Sequence, residues 1–298
     1  MSPARTTVEI LAPGPLMTVQ DLGRHGHAHL GVPTSGAADE AAFRIANRLV
    51  GNSEDAACLE TTLGGAAVLF HGAASVAITG APTPAWLDQR PVAFAERLYV
   101  KPGQTLQLGR PDYGLRTYLG VSGGIDVPPI LGSRSTDTLS GLGPEPLTPG
   151  VELPIGTDPR GLVGCPDVVF SAVPSTLDPT VRIHAGPRED WFAPDALQTL
   201  TSASWAVTAE TNRVGARLSG PLLDHSASAQ LPSEGMVRGA IEVPPSGQPI
   251  VFLADHPTTG GYPVIAVVHA ADLGLLAQAR PGTRLRFAIA RQPSAGQS

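Results

Sequence analysis

Apolar residues along the chain recur at two spacings, and the spacing of two dominates. Helical spacing is clearest in SGAADEAAFRIANRLVGN (35–52), where Ala42, Ile45, Ala46 and Leu49 share one face, Ser35 or Asp39 is placed to cap the start, and Gly51 to end it. A shorter helix is predicted to open at Pro194 in FAPDALQTL, since proline is tolerated in a first helical turn. A third is predicted from Ala271 to Gln278, ending before Pro281. Elsewhere alternation rules. RLRFAIA (284–290) sets Arg284 and Arg286 against Leu285, Phe287 and Ile289, and ASVAITG, TLQLG, RTYLGVSGG and QPIVFLAD read as similar short strands.

So many strands with so few helices between them predict a mainly β protein built of antiparallel barrels or sandwiches, not a βαβ fold. A faint internal echo adds to this. LETTLGGAAVLF (59–70) and IEVPPSGQPIVF (241–252) share an apolar residue, Glu, a gap, Gly and an apolar strand ending in Phe; VKPGQTLQLG and ARPGTRLRFA follow in the same order. Two related β domains, 1–175 and 176–298, would produce it, with the boundary in SAVPSTLDPTVR (171–182), where Pro174 and Pro179 flank polar residues; chance matching of short strands would also.

Composition narrows the function classes. The 298 residues are 42% hydrophobic and 15% charged, which suits a folded globular chain, and the 34 glycines and 30 prolines are spread out as punctuation between strands. A formal charge of −6 and no basic run with interleaved aromatics argue against nucleic acid. Lysine occurs once, at Lys101 in VKPGQT, a setting that fits neither a Schiff base, a phosphate loop nor a biotin attachment site. Cys58 and Cys165 have no metal or disulfide spacing, and they read as core thiols of a reducing compartment. The start lacks a signal-peptide core, and the uncharged stretch 64–81 holds four glycines, His71, Ser75 and Thr79, which predicts strand, turn, strand and a cytoplasmic protein.

Five blocks carry candidate chemistry. His25, His27 and His29 alternate as a metal site on a strand would, but no fourth ligand is near, and solvated histidines are the plainer reading. Ser35 and Gly36 precede a helix and could either cap it or offer N–H groups to an anion. In GSRSTDT, Arg134 either pairs with Asp137 three residues on or clamps a carboxylate or phosphate. Asn212, Arg213 and Arg217 share a short segment, and Glu234 and Glu242 lie beside glycines. Finally, LADHPTTGGYP joins Asp255 and His256 to Thr258, Thr259, Gly260, Gly261 and Tyr262: a carboxylate, an imidazole and convergent donors that could abstract a proton and stabilise an oxyanion, although a Gly-Gly hairpin needs none of them.

Taken in order, QDLGRHGHAHLGVPTSGAADEAAFRIANRLVGN, LETTLGG, YLGVSGGIDVPPILGSRSTD, TNRVGARLSG, SEGMVRGAIEVPPSGQPIVFLAD and TTGGYPVIAVV resemble the family of allophanate hydrolase subunit 2, the C subunit of 5-oxoprolinase and the urea carboxylase carboxyltransferase domain, which includes a KipA-like antagonist of a kinase inhibitor. The resemblance implies two cyclophilin-like β-barrel domains with a few short helices. It implies a component of an amidohydrolase complex that opens 5-oxo-L-proline to L-glutamate with ATP, or acts on allophanate, beside a subunit 1 partner (KipI-like, or the B subunit of 5-oxoprolinase) and, for 5-oxoprolinase, the A subunit. With no phosphate loop here, partners would supply much of a nucleotide site. In that reading, set in a cleft between the domains, Asp255 or Glu242 is the carboxylate base, His256 the acid or orienter, and Arg134 or Arg213 the anion clamp. Thr258, Thr259, Gly260 and Gly261 are the oxyanion donors, with Tyr262, Asn212 and Ser35 beside the substrate. Carboxyl transfer from carboxybiotin on another protein, or non-catalytic binding of the kinase-inhibitor protein, are the alternatives. Departures fall at the site itself: the family commonly has Gln at position 242 and Arg-Gln at 256–257, and the segment around GPEPLTPGVEL differs too.

Overall fold

A computed structural model describes residues 6–157, 178–226 and 231–290; Cys165 and most of the proposed boundary segment lie outside them. The chain divides into two compact units, Met1–Ser175 and Thr176–Ser298.

The first unit holds a six-stranded sheet in the spatial order Glu152–Pro154, Thr7–Pro13, Ala66–Phe70, Thr105–Leu108, Ala85–Leu87 and Arg90–Val92. Its five-stranded sheet runs Leu16–Gln20, Cys58–Thr62, Arg116–Val121, Ala74–Gly80 and Arg97–Val100. Alternate residues of both sheets, among them Val8, Ile10, Val68, Phe70, Val76, Ile78 and Leu119, meet in one core. The helix Glu40–Val50 covers the other face of the five-stranded sheet through Ala42, Phe43 and Ala46, which pack on Cys58 and Tyr118. That second cover explains why ASVAITG is buried at every position although its sequence alternates only weakly. Gly120 lets the helix come this close, since a Cβ there would lie 2.8 Å from the Ala46 carbonyl oxygen. Of the two capping residues the sequence offered, Asp39 caps: its carboxylate accepts from the Ala42 N–H at 3.1 Å, and Gly51 ends the helix with φ 78°. Asp39→Ala is therefore expected to lower stability by about 1 kcal/mol in urea titrations, and an unchanged midpoint would refute the cap.

The second unit is a closed barrel in the order Thr180–Ala185, Val264–Val268, Ala240–Glu242, Ile250–Phe252, Gly215–Ser219, Trp205–Val207 and Arg284–Ile289, where parallel pairing of residues 180–183 with 286–289 completes the ring. Val181, Ile183, Ala216, Leu218, Ile241, Val251, Ile265, Leu285 and Phe287 fill its interior. The register against Ala240–Glu242 shifts by a bulge, with Ile241 opposite Ala266 and Glu242 opposite Val264, so the adjacent Ile265 and Ala266 both join the interior core. In both echoed segments the Glu lies on a strand and the Phe ends the next one, Glu60 and Phe70 in the first unit and Glu242 and Phe252 in the second, but Cys58–Thr62 and Ala66–Phe70 belong to different sheets whereas Ala240–Glu242 and Ile250–Phe252 pair directly.

Three expectations change in detail. The helix after Pro194 begins at Ala196 and runs to Ser202, and the one predicted from Ala271 is a 3-10 turn, Ala270–Asp272, continuing into Leu273–Ala277. His25, His27 and His29 are on no strand. Gly26 at φ 89° breaks the extended backbone between the first two, and a 3-10 turn over Ala28–Leu30 follows, so the period of two there has no sheet to act in. No helix described is long and apolar enough to cross a membrane.

Candidate active site

The predicted residues fall into two groups, one in each unit. In the first unit Ser35 is buried with φ 55° and donates its hydroxyl to the Thr136 carbonyl at 3.1 Å. The N–H groups that open the helix are already used: Ala38 donates to Glu60 Oε2 at 3.0 Å and Asp39 to the Tyr118 hydroxyl oxygen at 2.7 Å. The Ser35 hydroxyl is thus engaged within the fold. Arg134 does not pair with Asp137. Its guanidinium binds Asp126 at 2.9 Å and the Val127 carbonyl at 2.7 Å, at the edge of a cavity of about 360 Å³ shared with Asn52, Asp55 and Gly124. Asp137 instead accepts from Leu139 and Ser140 in its own loop. The serines around Arg134 converge on a carboxylate the sequence did not single out: Ser133 and Ser135 donate to Asp21 Oδ1 at 2.6 and 2.5 Å, and the Arg134 N–H donates to Oδ2 at 2.6 Å. These partners are more than a hundred residues from Asp21 in sequence, so no local spacing could reveal them.

The second group gathers on the outer wall of the barrel. Ala240 and Glu242 point away from the interior, toward a small apolar cluster of Met236, Ala240, Phe252 and Val264. Two short strands, Glu234–Gly235 and Thr259–Gly260, pair over this wall with Glu234 opposite Gly260, and Arg188 clasps Glu234 through both carboxylate oxygens. The TTGGYP turn closes on Glu242. The Tyr262 N–H donates to Glu242 Oε1 at 3.0 Å, the Gly261 N–H also serves the carboxylate, and a Cβ on Gly260 would stand 2.6 Å from Oε1. Of the amides predicted to await an oxyanion, that of Gly261 therefore already serves a carboxylate. Burial pushes the Glu242 carboxyl above its ordinary value, and the two N–H groups oppose that rise. Its counterpart Glu60 has Arg116 3.5 Å away and the Tyr118 hydroxyl at 2.8 Å, whereas no ion pair reaches Glu242 among the described residues. A buried carboxylate with no balancing cation is one that can take up a proton.

Asp255 is different. Arg213 donates to both of its oxygens, Nε to Oδ2 and Nη2 to Oδ1, each at 2.9 Å, and both side chains are essentially inaccessible. Such a bidentate pair is a strong, geometrically specific contact. Asp255, expected as a base, and Arg213, expected as a clamp for a substrate anion, are thus bonded to each other. Asn212 accepts from the Val214 and Gly215 N–H groups and shapes the bend that carries Arg213 ahead of the strand Gly215–Ser219. His256 is buried against Phe252, and its Nδ1 lies 2.8 Å from the Pro257 carbonyl; a carbonyl only accepts, so Nδ1 carries the hydrogen. Thr258 receives the Met236 N–H on its carbonyl, Thr259 is exposed in the short ladder, and Tyr262 is 44% exposed beside Glu242.

A mainly β chain with a buried, cation-free glutamate on the wall of a closed barrel is thus defined. It belongs to the carboxyltransferase domain family, subdomains A and B, whose model matches residues 30–289. It is 40% identical over 286 residues to the C subunit of Escherichia coli 5-oxoprolinase, covering 94% of this chain and 90% of that protein. It is 34% identical over 306 residues to urea amidolyase of Saccharomyces cerevisiae, covering 95% of this chain and 16% of that one. The crystal structure of K. lactis urea amidolyase superposes with a TM-score of 0.87 at 32% identity, over 97% of this chain and 19% of that chain.

Proposed function

We propose that this chain is the C subunit of an ATP-dependent 5-oxoprolinase, which opens the lactam of 5-oxo-L-proline to L-glutamate together with a subunit 1 partner, KipI-like or of the 5-oxoprolinase B type, and with the A subunit. The observation that supports this reading is the near co-extensive match to the E. coli protein, where the urea amidolyases carry the corresponding region as a small part of a long chain. The lactam is an unactivated amide, so its carbonyl must be activated before water adds. Glu242, where the family commonly has Gln, suits the second of these tasks in this chain: ionised, it takes a proton from the attacking water as the new C–O bond forms, and the proton then goes to the ring nitrogen as the C–N bond breaks. The Tyr262 and Gly261 N–H groups hold its carboxylate. His256 stands one strand end away against Phe252 as an orienting group. The sole lysine, Lys101, is exposed on the turn between Arg97–Val100 and Thr105–Leu108, and the sequence has no phosphate loop. Much of the nucleotide site is accordingly assigned to the partner proteins.

The test is reconstitution with the partner proteins and an assay of ATP-dependent glutamate release from 5-oxoproline. Turnover is expected only with the whole complex present. If the complex instead carboxylates urea when supplied with a carboxybiotin carrier, the carboxyltransferase reading, which the family name and the urea amidolyase similarity favour, replaces this one.

A further inference from the structure

The six-stranded sheet of the first unit carries a cluster that the proposed reaction does not use. We propose that Glu9, His71 and Glu152 form a binding site for a divalent transition-metal ion, zinc by preference, on the outer surface of this sheet. The three residues come from three neighbouring chain segments: Glu9 and Glu152 are direct cross-strand partners, and His71 follows the strand Ala66–Phe70 on the other side of Glu9. One ligand atom from each lies within 4.8 Å of the others, and His71 Nε2 is 2.9 Å from Glu9 Oε2. Ligand atoms around a tetrahedral ion with bonds of ~2.0–2.1 Å stand roughly 3.4 Å apart, so small side-chain rotations close this set on a cation.

Three observations favour a cation over a simple surface pair. Two carboxylates directly opposed across an antiparallel ladder repel each other, and among the described residues no Lys or Arg forms an ion pair with either one. Only the imidazole approaches, and an imidazole with two carboxylates is a donor set for zinc and its neighbours, whereas Mg²⁺ and Ca²⁺ take oxygen ligands. The frame is also fixed. The His71 N–H donates to the Thr7 carbonyl at 3.0 Å, the Thr7 hydroxyl donates to Glu152 Oε2 at 3.3 Å, and the space a Cβ on Gly72 would need is filled by the Thr6 side chain, so the turn carrying His71 is moulded against the first strand. The remaining positions of the ion face solvent, since His71 and Glu152 are exposed. Hydrated zinc therefore has room for one or more waters.

The experiment uses the full chain, stripped with chelator and dialysed, and titrated with Zn²⁺ against a chromophoric competitor. One equivalent is expected to bind, with affinity falling roughly 100-fold or more in His71→Ala and in Glu152→Gln, and unchanged in His27→Ala. Zinc should also raise the melting temperature of the parent and not that of His71→Ala, whose circular dichroism should match the parent's. No stoichiometric binding, or equal binding by His71→Ala and the parent, would overturn the proposal. Both results are independent of whether the reconstituted complex hydrolyses 5-oxoproline.

Discussion

Asp255→Ala is expected to lower the stability of the second unit by about 3–5 kcal/mol, because it removes the carboxylate that receives both Nε and Nη2 of the buried Arg213. The cost arises from desolvation more than from a lost attraction. Arg213 and Asp255 both lie inside the fold, and the pair joins the start of the strand Gly215–Ser219 to the segment that leaves Ile250–Phe252. Removing both charges is milder: an Arg213→Met, Asp255→Leu double variant should recover much of the loss, since an apolar pair of similar volume bears no desolvation penalty. Urea denaturation of the parent and both variants measures this directly. A loss below about 1 kcal/mol in Asp255→Ala would mean that the pair is solvated as surface pairs are.

Glu242→Gln separates chemistry from folding. Gln is the residue the family commonly carries here; the amide keeps an oxygen for the Tyr262 and Gly261 N–H groups but cannot take a proton, so a base role peculiar to this chain predicts that kcat for glutamate release by the reconstituted complex falls by roughly 10²–10⁴-fold with little change in KM. Stability should move the other way. The folded-state pKa of Glu242 lies above its unfolded value, so the folded protein binds this proton more tightly, and the parent is favoured at low pH and loses that advantage as pH rises through the raised pKa. The variant has no such decline. Its melting temperature relative to the parent should therefore increase from about pH 4 to pH 8. Full activity in Glu242→Gln would remove Glu242 from the base role while leaving the family assignment untouched.

Much of the fold was legible because its signals are local. Asp39, the face of Ala42, Ala46 and Leu49, and Gly51 define a helix within a dozen residues or so, and the alternation from Arg284 to Ile289 alone identifies a half-buried strand. The paired echo of Glu60 and Glu242 falls on a strand in each unit. What distinguishes those two glutamates is not local. Arg116 and Tyr118 reach Glu60 from a strand more than fifty residues on, and nothing comparable reaches Glu242 among the described residues, so the difference between the two is recognisable only once the sheets are assembled. The same holds for Arg213 with Asp255 and for the serines around Asp21, whose spacings carry no period. Composition around the TTGGYP turn suggested open donors; geometry shows the Gly261 N–H, with that of Tyr262, bonded to Glu242.

The parallel pairing that completes the barrel has a consequence in time. Residues 180–183 can meet 286–289 only after the ribosome has released the last strand of the ring, and their other neighbour, Val264–Val268, is also made late. At ~5–20 residues per second, the first strand waits on the order of five to twenty seconds with both edges unpaired. Arg182 and His184 on its outward positions put polar side chains along that waiting edge, a means of discouraging association with other nascent chains until the ring can be sealed.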